Sequence, residues 1–373
     1  MAKSRFFLLF LHQNYIKKQL KQVRLHIFNP EHDIALAYNN PNITAPHAAR
    51  QLRRDLAYIP VLWAEDGDAI LVDDVESAQK NAIKFLRKKP LVIFITKDEL
   101  PVLQFTEIQP WGWDRCICKQ FRNYGFGNHS LPDELTLNRI RDVSNRIETI
   151  LLMATLRDGL ENVTCGKIHY CTTIEEIRAL VLMEDKVVLK APWSSSGRGI
   201  RFVEENLDIP LRGWCKNLLN FQGGIIVEPY YNKVKDFAME FHSDGEGKIT
   251  YRGLSLFDTI NGSYTGNLLA TEREKERIIA EYIPKEITEE VKRRICSMMG
   301  DELNNVYKGP FGVDMMVVTS KDGSRFLLDP CVEINLRRTM GHVALTLRPD
   351  DDEIKSLMSI TFNKNYQLKI SKL

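Results

Sequence analysis

Gly312-Val313-Asp314-Met315-Met316-Val317-Val318 is followed by Lys321-Asp322-Gly323-Ser324 and then by Phe326-Leu327-Leu328-Asp329-Pro330-Cys331-Val332-Glu333-Ile334-Asn335-Leu336-Arg337. Two apolar, β-branched runs around a short polar turn predict an antiparallel hairpin. Such a hairpin can bring Asp314 beside Glu333 and Asn335, and the period of two along a strand puts Glu333, Asn335 and Arg337 on one face. Carboxylate and amide oxygens are hard ligands suited to Mg²⁺, and two ions can bridge such a cluster to a triphosphate. The plain alternative is a strand face whose polar residues meet solvent.

Working upstream, Val187-Val188-Leu189-Lys190-Ala191-Pro192-Trp193-Ser194-Ser195-Ser196-Gly197-Arg198-Gly199-Ile200-Arg201-Phe202-Val203 reads as strand, small-residue loop, strand. Glycines and serines let backbone N–H groups approach an anion, and Lys190 at the end of the entering strand offers charge for a polyphosphate. The loop is not a Walker A, because no Gly-Lys-Ser/Thr closes it and no helix follows. A bare hairpin turn is the competing reading. Between the two segments stands Ile225-Ile226-Val227-Glu228-Pro229-Tyr230-Tyr231.

In this order the three segments resemble the ATP-grasp family, over about residues 140 to 345. The resemblance implies an α/β and α+β chain: an ATP-grasp fold whose two subdomains clamp ATP, preceded by an α/β, pre-ATP-grasp-like substrate lobe. The expected organisation is an appendage at 1–22, the substrate lobe at 23–130, a bridging helix with the first ATP-grasp subdomain and its glycine-rich loop at 131–228, and the second subdomain with the metal site at 229–373.

The resemblance also carries roles. It implies that Lys190 meets the nucleotide phosphates and that Ser195, Ser196, Gly197 and Gly199 belong to a flexible loop over them. Glu228, Pro229, Tyr230 and Tyr231 stand in the adenine linker. Asp236 matches the acidic residue that accepts from the ribose hydroxyls, with Glu240, on the same strand face, as its competitor. Asp314, Glu333 and Asn335 match the metal ligands, and Arg337 follows where it would hold the transferring phosphate or a substrate carboxylate. Arg146 is the nearest match to an earlier cation on the bridging helix that is a lysine in many members. The cofactors implied are ATP and Mg²⁺, with Mn²⁺ as the alternative ion and two ions expected.

Bulk properties set the frame. A chain of 373 residues exceeds what one core usually organises, which predicts two or three lobes. Apolar residues at 44% and charged residues at 27% fit a folded globular protein, and 51 Lys+Arg against 49 Asp+Glu leave no overall field for nucleic acid or an anionic membrane. Seven cysteines without a CxxC pair, no apolar run near the ~20 residues of a membrane span, and an N-terminal apolar run too short for a signal peptide predict a cytoplasmic protein. The oligomeric state is open, a homodimer included.

Strands are expected at 23–28, 59–63, 69–72 and 91–96 in the first lobe, with a helix at 77–88. A long bridging helix is expected from Pro132 to Arg157, and Thr173 with Glu176 three residues on predicts a capped helix to about Met183. Strands are then expected at 187–190, 200–203, 225–228, 237–241, 249–252, 313–318, 326–329 and 332–335. Ile287, Val291, Ile295 and Met299 mark an amphipathic helix among them.

His32 and Asp33 follow the first strand, at an end where such lobes bind ligands, or simply start a helix. Trp111 and Trp113 suit lobe packing or stacking on a substrate. The polar loop from Asn261 to Asn267 has donors for phosphate or acceptor, and Cys331 is expected to be a core thiol. The function expected is an ATP- and Mg²⁺-dependent ligase joining a small carboxylate to an amine through an acyl-phosphate. The alternatives are an ATP-grasp kinase acting on a small molecule and a nucleotide-binding scaffold without turnover.

Overall fold

Four short strands build the first sheet: β1 (Val23–Ile27), the wholly apolar β2 (Ala69–Leu71) and β3 (Ile93–Ile95), and β4 (Phe105–Pro110). All pairings are parallel in the order β3-β2-β1-β4, with Leu25 opposite Ala69 and Ala69 opposite Ile93. Continuous burial of β2 and β3 is what a sheet covered on both faces requires. The structure is a computed structural model and describes residues 23–85, 91–194, 199–260 and 262–373. The chain divides into two compact units: one runs to Ala35, then Asn39–Glu134 and Thr361–Leu368, and the other comprises Leu36–Tyr38, Leu135–Ile360 and Lys369–Leu373.

Three expectations for the first unit differ from the structure, the first being the helix expected at 77–88, which runs Val75–Ala82. Residues 59–63, expected as a strand, form a buried 3₁₀ turn at Ile59–Leu62, where Pro60 has no N–H for a strand ladder. β4 was not expected, since Phe105 and Ile108 stand three positions apart among polar residues and give no period-two pattern. His32 is 1% exposed, and its Nδ1 lies 3.1 Å from Asp114 Oδ2. Asn29 Nδ2 donates to the Gly112 carbonyl at 2.8 Å, so these residues pin the turn after β4. Trp111 packs edge-on against Phe28 at 5.0 Å inside this same unit.

The second unit holds two antiparallel sheets. One comprises β5 (His169–Cys171), β6 (Lys186–Lys190), β7 (Ile200–Glu204) and β8 (Ile225–Pro229), ordered β5-β8-β6-β7. Alternation decides its faces. Val187, Leu189, Val203, Ile225 and Val227 enter a core with Ile177 and Val181 of the helix Ile174–Met183 and Cys215 of the helix Ile209–Gln222. Val188, Lys190, Phe202 and Glu228 are thereby turned to the other face. The helix at Ile174 starts with the expected capping box: Thr173 Oγ1 accepts from the Glu176 N–H at 3.2 Å, and Glu176 Oε2 accepts from the Thr173 N–H at 3.2 Å.

The larger sheet comprises β9 (Asn232–Asp244), β10 (Ile249–Ile260), β11 (Ser263–Leu269), β12 (Lys308–Thr319), β13 (Phe326–Asn335), β14 (Ser356–Asn363) and β15 (Asn365–Lys372), ordered β13-β12-β9-β10-β11-β14-β15, of which the stretch Thr361–Leu368 is counted with the first unit. The helix Lys285–Leu303 buries Val291, Ile295 and Met299 as its spacing predicts. The bridging segment is two helices, Glu134–Val143 and Glu148–Arg157, rather than one. Between them the Ser144 hydroxyl bonds back to the Ile140 carbonyl, and Asn145 Oδ1 accepts from the Ile147 N–H, so side chains compete for the helix ladder.

Candidate functional site

The hairpin β12–β13 pairs Asp314 directly with Glu333, and Gly312 with Asn335. Two carboxylates opposite one another repel. Burial pushes the Asp314 carboxyl well up, the charges of Glu333 and Glu240 add to this, and Arg337 and Asn335 act in the other direction. A divalent cation offsets such repulsion, and two carboxylates with an amide oxygen are hard donors that fit Mg²⁺. Among the described residues no group of three His, Cys, Asp or Glu side chains is arranged to hold a metal ion. Arg337 Nη2 donates to Asn335 Oδ1 at 2.7 Å.

Facing this pair across the second unit, Lys190 Nζ meets Glu228 Oε2 at 2.6 Å, each residue 5% exposed. β6 and β8 run antiparallel with Val188 opposite Glu228, which sets the two side chains on one face. A cavity of about 480 Å³ lies between the sheets of this unit, and Lys190, Glu228, Pro229, Tyr230, Tyr231, Asp236, Asp314 and Glu333 all line it. Phe202, Phe257, Met316 and Val332 add apolar walls, and Lys186, Lys233 and Thr259 add polar ones. Asp236 accepts from Thr259 Oγ1 at 2.7 Å and pairs with Lys233. Glu240, its competitor in the sequence, is 1% exposed and accepts from Thr339 Oγ1 at 2.8 Å, so it is anchored in the protein and does not line the cavity.

Arg146 sits in the break of the bridging segment, 4% exposed. Its Nη1 donates to the Ala191 carbonyl at 2.6 Å and to Ser194 Oγ at 2.8 Å, while Nη2 lies 2.7 Å from Glu333 Oε1. A planar guanidinium can hold the base of the small-residue loop and a carboxylate at once, which a lysine ammonium does less well. Gly199 closes that loop: its carbonyl accepts from the Ala191 N–H at 2.8 Å, and a Cβ there would stand 2.4 Å from Ser194 Cβ. Ser195, Ser196 and Gly197 lie outside the described residues. Arg146, Gly199, Asn335 and Arg337 are not among the residues lining the cavity.

Asp329 escaped the sequence reading. It is 2% exposed on β13, and its carboxyl is pushed up to about 7, first by burial and then by the charge of Glu228, with Lys190 opposing. Only the acidic residue in an otherwise apolar Phe326–Cys331 run hinted at it. Cys331 is fully buried, and burial, followed by the charge of Asp329, pushes its thiol far up, which suits a core residue.

Among solved structures, the chain resembles the biotin carboxylase domain of the Hydrogenobacter thermophilus 2-oxoglutarate carboxylase with a TM-score of 0.52, at 14% identity over 91% of this chain and 74% of that one. The chain has the ATP-grasp fold. A putative ATP-grasp superfamily protein from Archaeoglobus fulgidus matches at TM-score 0.42, with 13% identity over 94% of this chain and 99% of that one. N5-carboxyaminoimidazole synthetase from Staphylococcus aureus matches at 0.47 and 12%, over 92% and 84%. No family model and no curated protein matches the sequence. No helix of the described residues is long and apolar enough to cross a membrane.

Proposed function

We propose that the chain is an ATP- and Mg²⁺-dependent ligase that joins a small carboxylate to an amine through an acyl-phosphate. The observation that carries this reading is the single cavity walled by Lys190 and Glu228 on one side and by Asp314 and Glu333 on the other. The biotin carboxylase domain was solved with MgADP, which supports the nucleotide and the ion.

In this reading Phe202, Tyr230 and Met316 pack on adenine, Asp236 accepts from the ribose hydroxyls, and Lys190 meets the phosphates. Asp314, Glu333 and Asn335 would hold Mg²⁺, which neutralises phosphate charge when bound. The substrate carboxylate oxygen attacks the γ-phosphorus, the bond from that phosphorus to the β–γ bridging oxygen breaks, and ADP leaves. Arg337 holds the transferring phosphoryl oxygens, where its fixed fork matches their geometry. The amine nitrogen then attacks the acyl carbon, phosphate leaves with the acyl oxygen, and the nitrogen gives up a proton. The loop closed at Gly199 excludes water that would otherwise hydrolyse the intermediate.

The test is Glu333→Gln, assayed for ADP release and for hydroxylamine trapping with a pool of small carboxylates. The swap keeps size and removes charge. Hydroxamate that forms in the wild type only with ATP, and falls at least a hundredfold in the variant while nucleotide affinity falls less, is the expected result. A phosphorylated alcohol with no hydroxamate overturns the ligase, and normal turnover in the variant removes Glu333 from the site.

A further inference from the structure

The first unit contains a second cavity, of about 310 Å³, at the carboxyl ends of its parallel strands. Its floor is Ile27 and Phe28 at the end of β1 and Leu71 and Val72 at the end of β2, all buried. Parallel sheets place ligands at this end, because the connecting loops there are free to carry polar side chains above an apolar floor.

Two features of the walls point to the chemistry of an occupant. Arg53 lines the cavity with its guanidinium already fixed: Nη1 pairs with Glu31, and Nη2 donates to Gln120 Oε1 at 2.9 Å. Those two contacts take two of five N–H donors, and an arginine held in place before binding loses little freedom on meeting a carboxylate. Lys97 adds a second cation at the wall. The opposite charge is present as well. Asp73 and Asp98, from the loops after β2 and β3, line the same cavity. Glu31, whose Oε1 holds Arg53, keeps its Oε2 shielded from water with no donor.

A rim with two cations and two carboxylates rejects a ligand of one sign and suits one that carries both. We propose that this cavity binds a zwitterion of α-amino acid size, its carboxylate on Arg53 and Lys97 and its ammonium on Asp73 and Asp98. The inference stands on the first unit alone. In naming a substrate class for the ligase it rests on the reading above, since an amino acid carries both a carboxylate and an amine.

The experiment is a titration of the full chain by calorimetry, with and without a non-hydrolysable Mg·ATP analogue. The probes are the twenty common amino acids, their carboxamides, the corresponding 2-hydroxy acids, and glycerol and glucose as neutral polyols. At least one amino acid should bind, and its carboxamide and its hydroxy acid should each bind at least tenfold more weakly. Arg53→Gln should remove binding. Because that change leaves Glu31 without its partner, Lys97→Gln and Asp73→Asn, both at exposed positions, provide independent variants, each expected to weaken binding at least threefold with Mg·ATP affinity unchanged. No amino acid binding in either condition, equal binding of the hydroxy acid, or polyol binding in its place overturns the inference. Loss of Mg·ATP binding in the wild type, with amino acid binding intact, overturns the nucleotide reading instead.

Discussion

Lys190→Met separates the pairing of the buried lysine with Glu228 from the phosphate contact proposed for it. In the free protein its ammonium, 2.6 Å from Glu228 and both residues 5% exposed, offsets a carboxylate that has little water around it. Asp329 adds a second acidic group whose charge Lys190 also opposes. Removing one partner of a buried pair costs about 3–5 kcal/mol, because the other charge is left alone. At about 2–4 °C per kcal/mol for a unit of this size, the melting temperature should fall by roughly 6–20 °C. Adding Glu228→Gln removes the stranded charge and should restore most of that loss, bringing stability within about 1–2 kcal/mol of the wild type. Nucleotide binding should not recover. A cation about 4 Å from phosphate in a partly desolvated cleft contributes up to about 4 kcal/mol, so a tenfold or larger loss of Mg·ATP affinity is expected in single and double variants alike. Thermal unfolding and calorimetric titration measure the two quantities separately. Wild-type ATP affinity in the double variant would refute the placement of Lys190 on the phosphates, and an unchanged melting temperature in the single variant would refute the buried pair.

Three further outcomes follow from packing and protonation. Asp329 is pushed up to about 7 in the folded chain against 3.8 ordinarily, so folding takes up a proton between about pH 4 and pH 7 and stability falls as pH rises through that window. Asp329→Asn should therefore gain stability over the wild type with rising pH, by at most about 4 kcal/mol above pH 7, and urea midpoints at pH 5 and pH 8 that shift equally would exclude this. Gly341→Ala places a Cβ 1.8 Å from Glu240 Oε1 and 2.5 Å from Ser255 Oγ, both buried, and should cost about 1–3 kcal/mol in urea unfolding; a neutral substitution would mean that Glu240 is not anchored there. Thr173→Ala removes the cap on the Glu176 N–H and should lower stability by about 1 kcal/mol without touching Mg·ATP affinity, measured by the same two assays.

Elements whose physics is local were legible in the order of the residues. Apolar, β-branched runs at 187–190, 225–228 and 313–318 predicted strands, because such side chains suit a pleated, buried backbone whatever lies around it. Thr173 with Glu176 announced a helix start, since a capping box is closed within three residues. The pairing of Asp314 with Glu333 was legible because a short turn joins their strands. Tertiary structure decided what depends on distant partners. Ile59–Leu62 has strand composition but finds no ladder, and the bridging helix breaks at Ser144–Ile147, where the Arg146 N–H bonds to the Pro192 carbonyl and its side chain reaches Glu333. Asp236 and Glu240 share a strand face and are equivalent by periodicity, yet Thr339 reaches one and the cavity the other. The raised Asp329 carboxyl depends on burial and on the charge of Glu228, with Lys190 opposing, residues about a hundred positions or more away, and no local pattern encodes a low dielectric assembled from three strands.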